Sequence, residues 1–315
     1  MARALTPARG RWKNWATGLW IATVLVTAAF VARSRGTEVA DVLRSARPLP
    51  LAVALVLVLA AKLLLARVLR DAAARHGVAL SGRDAASTYH LSQLAKYIPG
   101  SIWHFATKAA MLAPRFTEPA NAARIMTTEV VWVLGSALVV GVLALTTSGL
   151  TGGPSLADVL PAGLAGSLPE ALIIGGAVVI MAAALVLIQR RTAVLAMPGF
   201  AAGGRLLAIW IALGLSMTAV VAALDGVASA LPLVVLLVGA FALSYVVGFL
   251  APFAPAGIGV REGALVVLAA PMVGVDTAIV AAALSRAVYV LAELVMVVPV
   301  LASRLQRGGA GAAQP

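Results

Sequence analysis

Hydrophobic positions along this chain fall into long, nearly unbroken runs separated by short polar connections. The runs cover approximately residues 15–32, 49–66, 125–147, 169–188, 205–224, 232–250, 257–273 and 277–302. A helix of about 20 apolar residues crosses a hydrocarbon core. The pattern therefore predicts an all-α polytopic membrane protein with about eight transmembrane helices. One stretch, 84–112, breaks the pattern. It contains "LAKYIPGSIWHFATKAAML", Leu94 to Leu112, which is apolar enough for a membrane yet interrupted by Pro99 and Gly100 and carries Lys96, His104 and Lys108.

Charge decides on which side each connection lies. Arg3, Arg9, Arg11 and Lys13 place the N-terminus in the cytoplasm, as do Arg67, Arg70, Arg75 and Arg83 for the connection after the second run. Ser148 to Glu170 has no Lys or Arg and is expected outside, whereas Arg190, Arg191 and Arg205 return the chain to the cytoplasm. Asp225 to Leu231 is again free of basic residues and expected outside, and Arg304 and Arg307 suggest a cytoplasmic C-terminus. Arg33, Arg35, Arg44 and Arg47, in a connection expected outside, argue against this scheme. With cytoplasmic charge on both flanks, 84–112 has to enter and leave on one side, as a re-entrant or interfacial segment. Such backbone is tolerated only where protein or a wet cavity satisfies it.

Composition narrows the class. Hydrophobic residues make up 62% of the 315 and charged residues 11%, with mean hydropathy +1.01, which excludes an ordinary soluble domain. The net charge of +12 lies mostly between apolar runs, where it speaks for cytoplasmic loops and anionic lipid and against nucleic acid. Without cysteine, disulfides and thiolate chemistry are excluded, and no metal or cofactor motif is present. The chain divides into a basic cytoplasmic tail, 1–14, a single transmembrane domain, 15–304, and a disordered tail, 305–315. A signal peptide is the competing reading of the N-terminus; the length of its apolar run and the lack of a small-residue cleavage site favour an uncleaved helix.

The break has a counterpart. "LAKYIPGSI" begins at Leu94 and "LAPFAPAGI" at Leu250, sharing Leu, Ala, an aromatic residue, Pro and Ile at the same offsets. Internal duplication and chance similarity both remain open. Paired Gly/Pro breaks in corresponding halves point to a transporter's binding site. A half-helix starting after a break exposes unpaired N–H groups that attract anions; a kink with only a packing role is the plain alternative. Around the first break, Gln93 and Lys96 share a helix face with Tyr89, and His104 shares one with Lys108. Ser101 follows Gly100. Around the second, "GIGVREG" supplies Gly257, Gly259, Arg261 and Glu262, and Gly259 with Gly263 forms a GxxxG spacing suited to close helix contact. Glu129, Arg286 and Glu293 are charges inside apolar runs, where each needs a partner or a cavity. Arg286 and Glu293, two turns apart, are read as an ion pair or as substrate contacts. Lys62, one turn from the end of its run, is expected to snorkel to the interface.

"QLAKYIPGSIWH" and "FAPAGIGVREGALV" resemble the paired signatures of the lysylphosphatidylglycerol synthase transmembrane-region family, flippase-like integral membrane proteins similar to the N-terminal half of the multiple peptide resistance factor. The resemblance implies a polytopic domain in the cell membrane that moves an anionic or aminoacylated phospholipid, or a polyprenyl-linked glycolipid, between leaflets. The full-length synthases add a soluble aminoacyltransferase domain; none follows the last run here, so lipid aminoacylation is not expected. Ala256 stands where the family pattern leads one to expect glycine.

The expected function is a flippase or scramblase-like transporter. The anionic head group of a membrane lipid would be held by Lys96, His104, Lys108 and Arg261 and by N–H groups near Gly100–Ser101 and Gly257–Gly259. Two other readings stand beside it. One is a membrane enzyme acting on lipid phosphates or glycolipids, with His90 or His104 and Glu129 or Glu262 in acid–base roles. The other is a non-catalytic partner of a cell-envelope glycosyltransferase or synthase. A homodimer or an envelope-biosynthesis partner is compatible with the sequence.

Overall fold

A computed structural model describes residues 44–97, 103–115, 119–154, 195–225 and 230–311, with Arg33, Thr37 and residues 40–42. The described residues form helices and no strand. In chain order these are α1 (Pro48–Arg75), α2 (Gly82–Leu94), a 3₁₀ turn (Ala95–Tyr97), α3 (Trp103–Leu112), a second 3₁₀ turn (Ala113–Arg115) and α4 (Pro119–Leu150). The second half holds α5 (Phe200–Asp225), α6 (Leu231–Phe249), a 3₁₀ turn (Pro255–Gly257), α7 (Val260–Val273) and α8 (Val275–Gly311).

Local chemistry sets the ends. Pro48 opens α1, where its missing N–H is not needed. The chain leaves α1 through Gly77 at φ +76, a left-handed exit that glycine allows without strain. Ser81 caps α2 by accepting the Asp84 N–H at 3.1 Å. Six helices are long and apolar enough to cross a membrane: Pro48–Arg75, Ala120–Leu150, Phe200–Leu224, Leu231–Phe249, Pro255–Val273 and Val275–Ala302. The protein is thus a multi-pass helical membrane protein. The two other apolar runs, 15–32 and 169–188, lie outside the described residues, so the count among those described is six rather than eight. The 13 residues of α2 and 10 of α3 reach only about 20 and 15 Å, too short to cross alone.

Element order and packing repeat between the halves. Each runs long helix, helix, 3₁₀ turn, helix, long helix. The first long helices, α1 and α5, pack along each other. In each half the helix before the break packs on the closing helix of the other half, α2 on α8 and α6 on α4. The two 3₁₀ turns, Ala95–Tyr97 and Pro255–Gly257, touch. The two breaks therefore meet in the fold.

Two buried tryptophans away from the breaks are satisfied. The Trp210 Nε1–H donates to Ser136 Oγ at 2.9 Å, and the Trp132 Nε1–H to the Ala196 carbonyl at 2.7 Å. At the surface Arg115 reaches Asp84 at 3.0 Å, tying the end of the α2–α3 hairpin to its start. The expected GxxxG contact is absent among the described residues. Gly259 caps α7 from outside the helix at φ +84, and a Cβ on Gly263 would meet nothing within 4 Å.

Candidate functional site

Where the breaks meet there is a cavity of about 300 Å³. It is walled by Gln93 and Lys96 from before the first break, and by His104 and Phe105 from after it. The second break adds Gly257 and Arg261, and α8 adds Arg286 and Tyr289. Residues from two segments some 150 positions apart thus share one wall. Pro99, Gly100 and Ser101 lie outside the described residues.

Lys96 is held by Glu293 of α8, as is Lys62 of α1, and the Tyr97 hydroxyl donates to the other oxygen of the same carboxylate at 2.7 Å. One acid therefore serves two lysines and a phenol. The Lys62 ammonium also sits 3.6 Å from the centre of the Tyr289 ring. This corrects the expectation for Lys62, which is fully buried and does not snorkel. The apolar run 49–66 put it near a helix end, but α1 continues to Arg75, which makes Lys62 central.

The ion pair between Arg286 and Glu293, one of the two readings of these residues, does not form. Arg286 turns instead to the second break, donating to the Ala256 carbonyl at 3.2 Å and to Glu262 at 3.3 Å. Its other terminal nitrogen is buried without a partner among the described residues. The second oxygen of Glu262 accepts the Gly259 N–H at 2.6 Å and caps α7. The N–H groups of Gly257 and Ile258 donate to the Ala254 and Pro255 carbonyls. These amides are consumed by the protein itself, so the positive charge that borders the cavity here comes from the side chains of Arg261 and Arg286.

Lys108 lies deeper, paired with Glu129 at 2.7 and 2.9 Å, both buried. The pair borders a smaller void of about 40 Å³ that also touches Tyr89, Gln93 and His104. Lys108 is thus neutralised and separated from the main cavity, while His104 borders both spaces. His90, which the enzyme reading would use, is buried against Tyr89 with its Nε2 unpartnered among the described residues.

Arg261 differs from every other cation here. It is 8% exposed and has no carboxylate partner among the described residues. Its guanidinium stands 4.5 Å from the Phe241 ring centre, 4.7 Å from that of Tyr289 and 5.4 Å from that of Tyr245. Cation–π contacts of this kind supply about 0.5–2 kcal/mol each. An uncompensated cation at mid-membrane costs about 2.5–3.5 kcal/mol on insertion scales. The box of rings offsets much of such a cost, and no carboxylate among the described residues takes the N–H edges.

The backbone allows this approach at two glycines. A Cβ on Gly248 would come within 2.8 Å of Arg261 Cβ, and one on Gly257, at φ +69, within 2.9 Å of the Gly248 carbonyl oxygen. Only glycine at both lets α6, the break and Arg261 close around the cavity. Sequence reading missed Lys62, Tyr97, Tyr245 and Tyr289 as members of this site. The signal was in the composition. Three of the chain's four lysines and all four of its tyrosines sit at these two voids or on Glu293. No protein-family model and no curated protein matches the chain, so the site is read from its geometry.

Proposed function

We propose that the protein is a lipid flippase or scramblase-like transporter whose central cavity receives a phosphate-bearing head group while the acyl tails stay in the bilayer. The observation that carries this reading is Arg261, a buried arginine without an acidic partner among the described residues, facing a cavity bordered by both breaks in a protein of membrane-type helices. Arginine's planar fork suits phosphate oxygens, which it binds in pairs. The family suggested by the two signatures is part of the same proposal.

The topology belongs to the proposal too. With the N-terminus in the cytoplasm, α1 runs inward and α5 outward. The α2–α3 hairpin then dips in from the cytoplasmic side, and α6–α7 dips in from the outside. Tied ends at Asp84 and Arg115 suit a hairpin that enters and leaves on one face. The runs 15–32 and 169–188 precede α1 and α5 at matching distances and complete eight long apolar segments in two inverted repeats. Duplication accounts for the reciprocal packing of the halves, and alternating access follows if one half rocks against the other around the cavity. The protein belongs in the cytoplasmic membrane, alone, as a homodimer or beside an envelope-biosynthesis partner.

Glu129 and Glu262, the carboxylates an enzyme would use, each hold an ion pair, which favours binding over acid–base chemistry. Reconstitution tests the proposal. Pure protein in liposomes is expected to speed leaflet exchange of at least one head-labelled anionic lipid. No exchange across a panel of lipids would overturn it in favour of the partner reading.

A further inference from the structure

We infer that the cavity is built for a head group carrying at least two negative charges, a phosphate monoester or a diphosphate, and discriminates against aminoacylated phospholipids. This rests on the reading of the cavity as a head-group site and names the class of head. The argument is one of charge. Lys96, Arg261 and Arg286 line the cavity, and no carboxylate does. The acids stand behind the cations. Glu262 matches Arg286 one for one, Glu293 is shared by Lys62 and Lys96, and Arg261 has no acid among the described residues. Two positive charges are therefore left over in a low-dielectric centre, one on the lysine pair and one on Arg261.

A ligand completes the site when it returns that charge. A phosphate monoester brings about two negative charges near neutral pH, and a diphosphate head at least about two. A phosphodiester such as phosphatidylglycerol brings one and leaves one cation bare. A zwitterionic head brings none in net, and an aminoacyl ester adds positive charge to a site already in excess. Geometry agrees with the count. The rings of Phe241 and Tyr289 hold the Arg261 guanidinium, while Lys96 can turn from Glu293 to a ligand without stranding that acid, because Lys62 remains on it. The same chemistry is found on a free phosphate in the cytoplasm and on a lipid. The apolar walls from Phe105, Phe249 and Pro252 favour an anion that arrives on a hydrocarbon tail.

Calorimetry on detergent-purified full-length protein separates these cases. The probes are dodecyl phosphate, geranylgeranyl diphosphate, phosphatidylglycerol, phosphatidylcholine, lysyl-phosphatidylglycerol and inorganic pyrophosphate. Dodecyl phosphate and geranylgeranyl diphosphate are expected to bind at least about tenfold tighter than phosphatidylglycerol, and the last two lipids more weakly still. Arg261→Met should lose about tenfold or more for dodecyl phosphate and geranylgeranyl diphosphate. Arg261→Lys, which keeps the charge and guards against a folding defect in the first variant, should lose less. Tighter binding of phosphatidylglycerol or its lysyl ester, still dependent on Arg261, would overturn the two-charge inference and leave the head-group reading in place. Absence of Arg261-dependent binding for every amphiphile would overturn both. Pyrophosphate binding as tightly as its geranylgeranyl ester would overturn the lipid source.

Discussion

The two breaks occupy equivalent places in the two halves but handle charge in opposite ways. At the first, each lysine is met by an acid from another helix: Lys96 by Glu293 of α8 and Lys108 by Glu129 of α4. At the second, the acid is local. Glu262 caps its own helix and turns toward Arg286, and Arg261 is left to the aromatic rings. The first break is therefore fastened to the scaffold by ion pairs, whereas the second keeps a cation in reserve. A pairing that looks symmetric in sequence becomes one side fastened by ion pairs and one side whose arginine has no acid among the described residues. What decides between them is where the carboxylates sit, not where the prolines and glycines do.

The largest effect is expected from unfastening the first break. Glu293→Gln removes the shared acid and leaves Lys62 and Lys96 facing each other in the interior. Breaking a buried pair costs about 3–5 kcal/mol, and thermal unfolding in detergent should show a loss of that size. Adding Lys62→Met, which removes one of the stranded charges, should recover much of it. A Glu293→Gln protein as stable as the parent would mean that the first break is not held from α8.

The second break depends on backbone shape instead. Gly257→Ala forces a side chain into the left-handed region and within 2.9 Å of a carbonyl oxygen that belongs to α6. Strain and overlap together should cost about 2–4 kcal/mol. The same substitution at Gly263, where a Cβ meets nothing, should be neutral or stabilising in the same melt. Equal effects at the two glycines would remove the distinction between them.

How much of this was legible follows from what each residue depends on. Six apolar runs announced their helices because hydropathy is a property of the run itself. The convergence of Lys96, His104 and Arg261 was anticipated from two short breaks that share a pattern. Partners were not legible. Glu293 lies two turns from Arg286 on the same helix, and local spacing suggested a pair, but each side chain found a nearer partner on another segment. Lys62 was misplaced because the apolar run ends before the helix does; the arginines that follow continue α1 to Arg75. The N–H donors after the second break were assigned to a ligand because nothing in the sequence says that Glu262 folds back onto Gly259.

A smaller effect should appear at the residue beside Gly257. Ala256 sits at φ +53, in the region glycine favours. The left-handed backbone costs an alanine about 1–2 kcal/mol, part of which glycine gives back through its freer unfolded chain. Ala256→Gly should raise stability by about 0.5–1 kcal/mol with the cavity unchanged. A fall in stability would show that the alanine methyl packs usefully against the break.

The smallest effect on stability, and the sharpest test of the contrast, belongs to Arg261. If the second break holds its cation in reserve, the fold does not need that cation. Arg261→Met gives up contacts with three rings, worth about 0.5–2 kcal/mol each at best. It also relieves a buried charge whose cost on insertion scales is about 2.5–3.5 kcal/mol, and methionine's flexible thioether can refill the space among the same rings. These contributions oppose each other, so the variant should unfold within about 1 kcal/mol of the parent. Lys108→Met gives the matched control from the first break. It strands Glu129 and should lose about 3–5 kcal/mol. Parallel melts of the two variants read the difference between the breaks directly. Comparable losses in both would mean that Arg261 is as much a part of the scaffold as Lys108, and that the second break holds no cation in reserve.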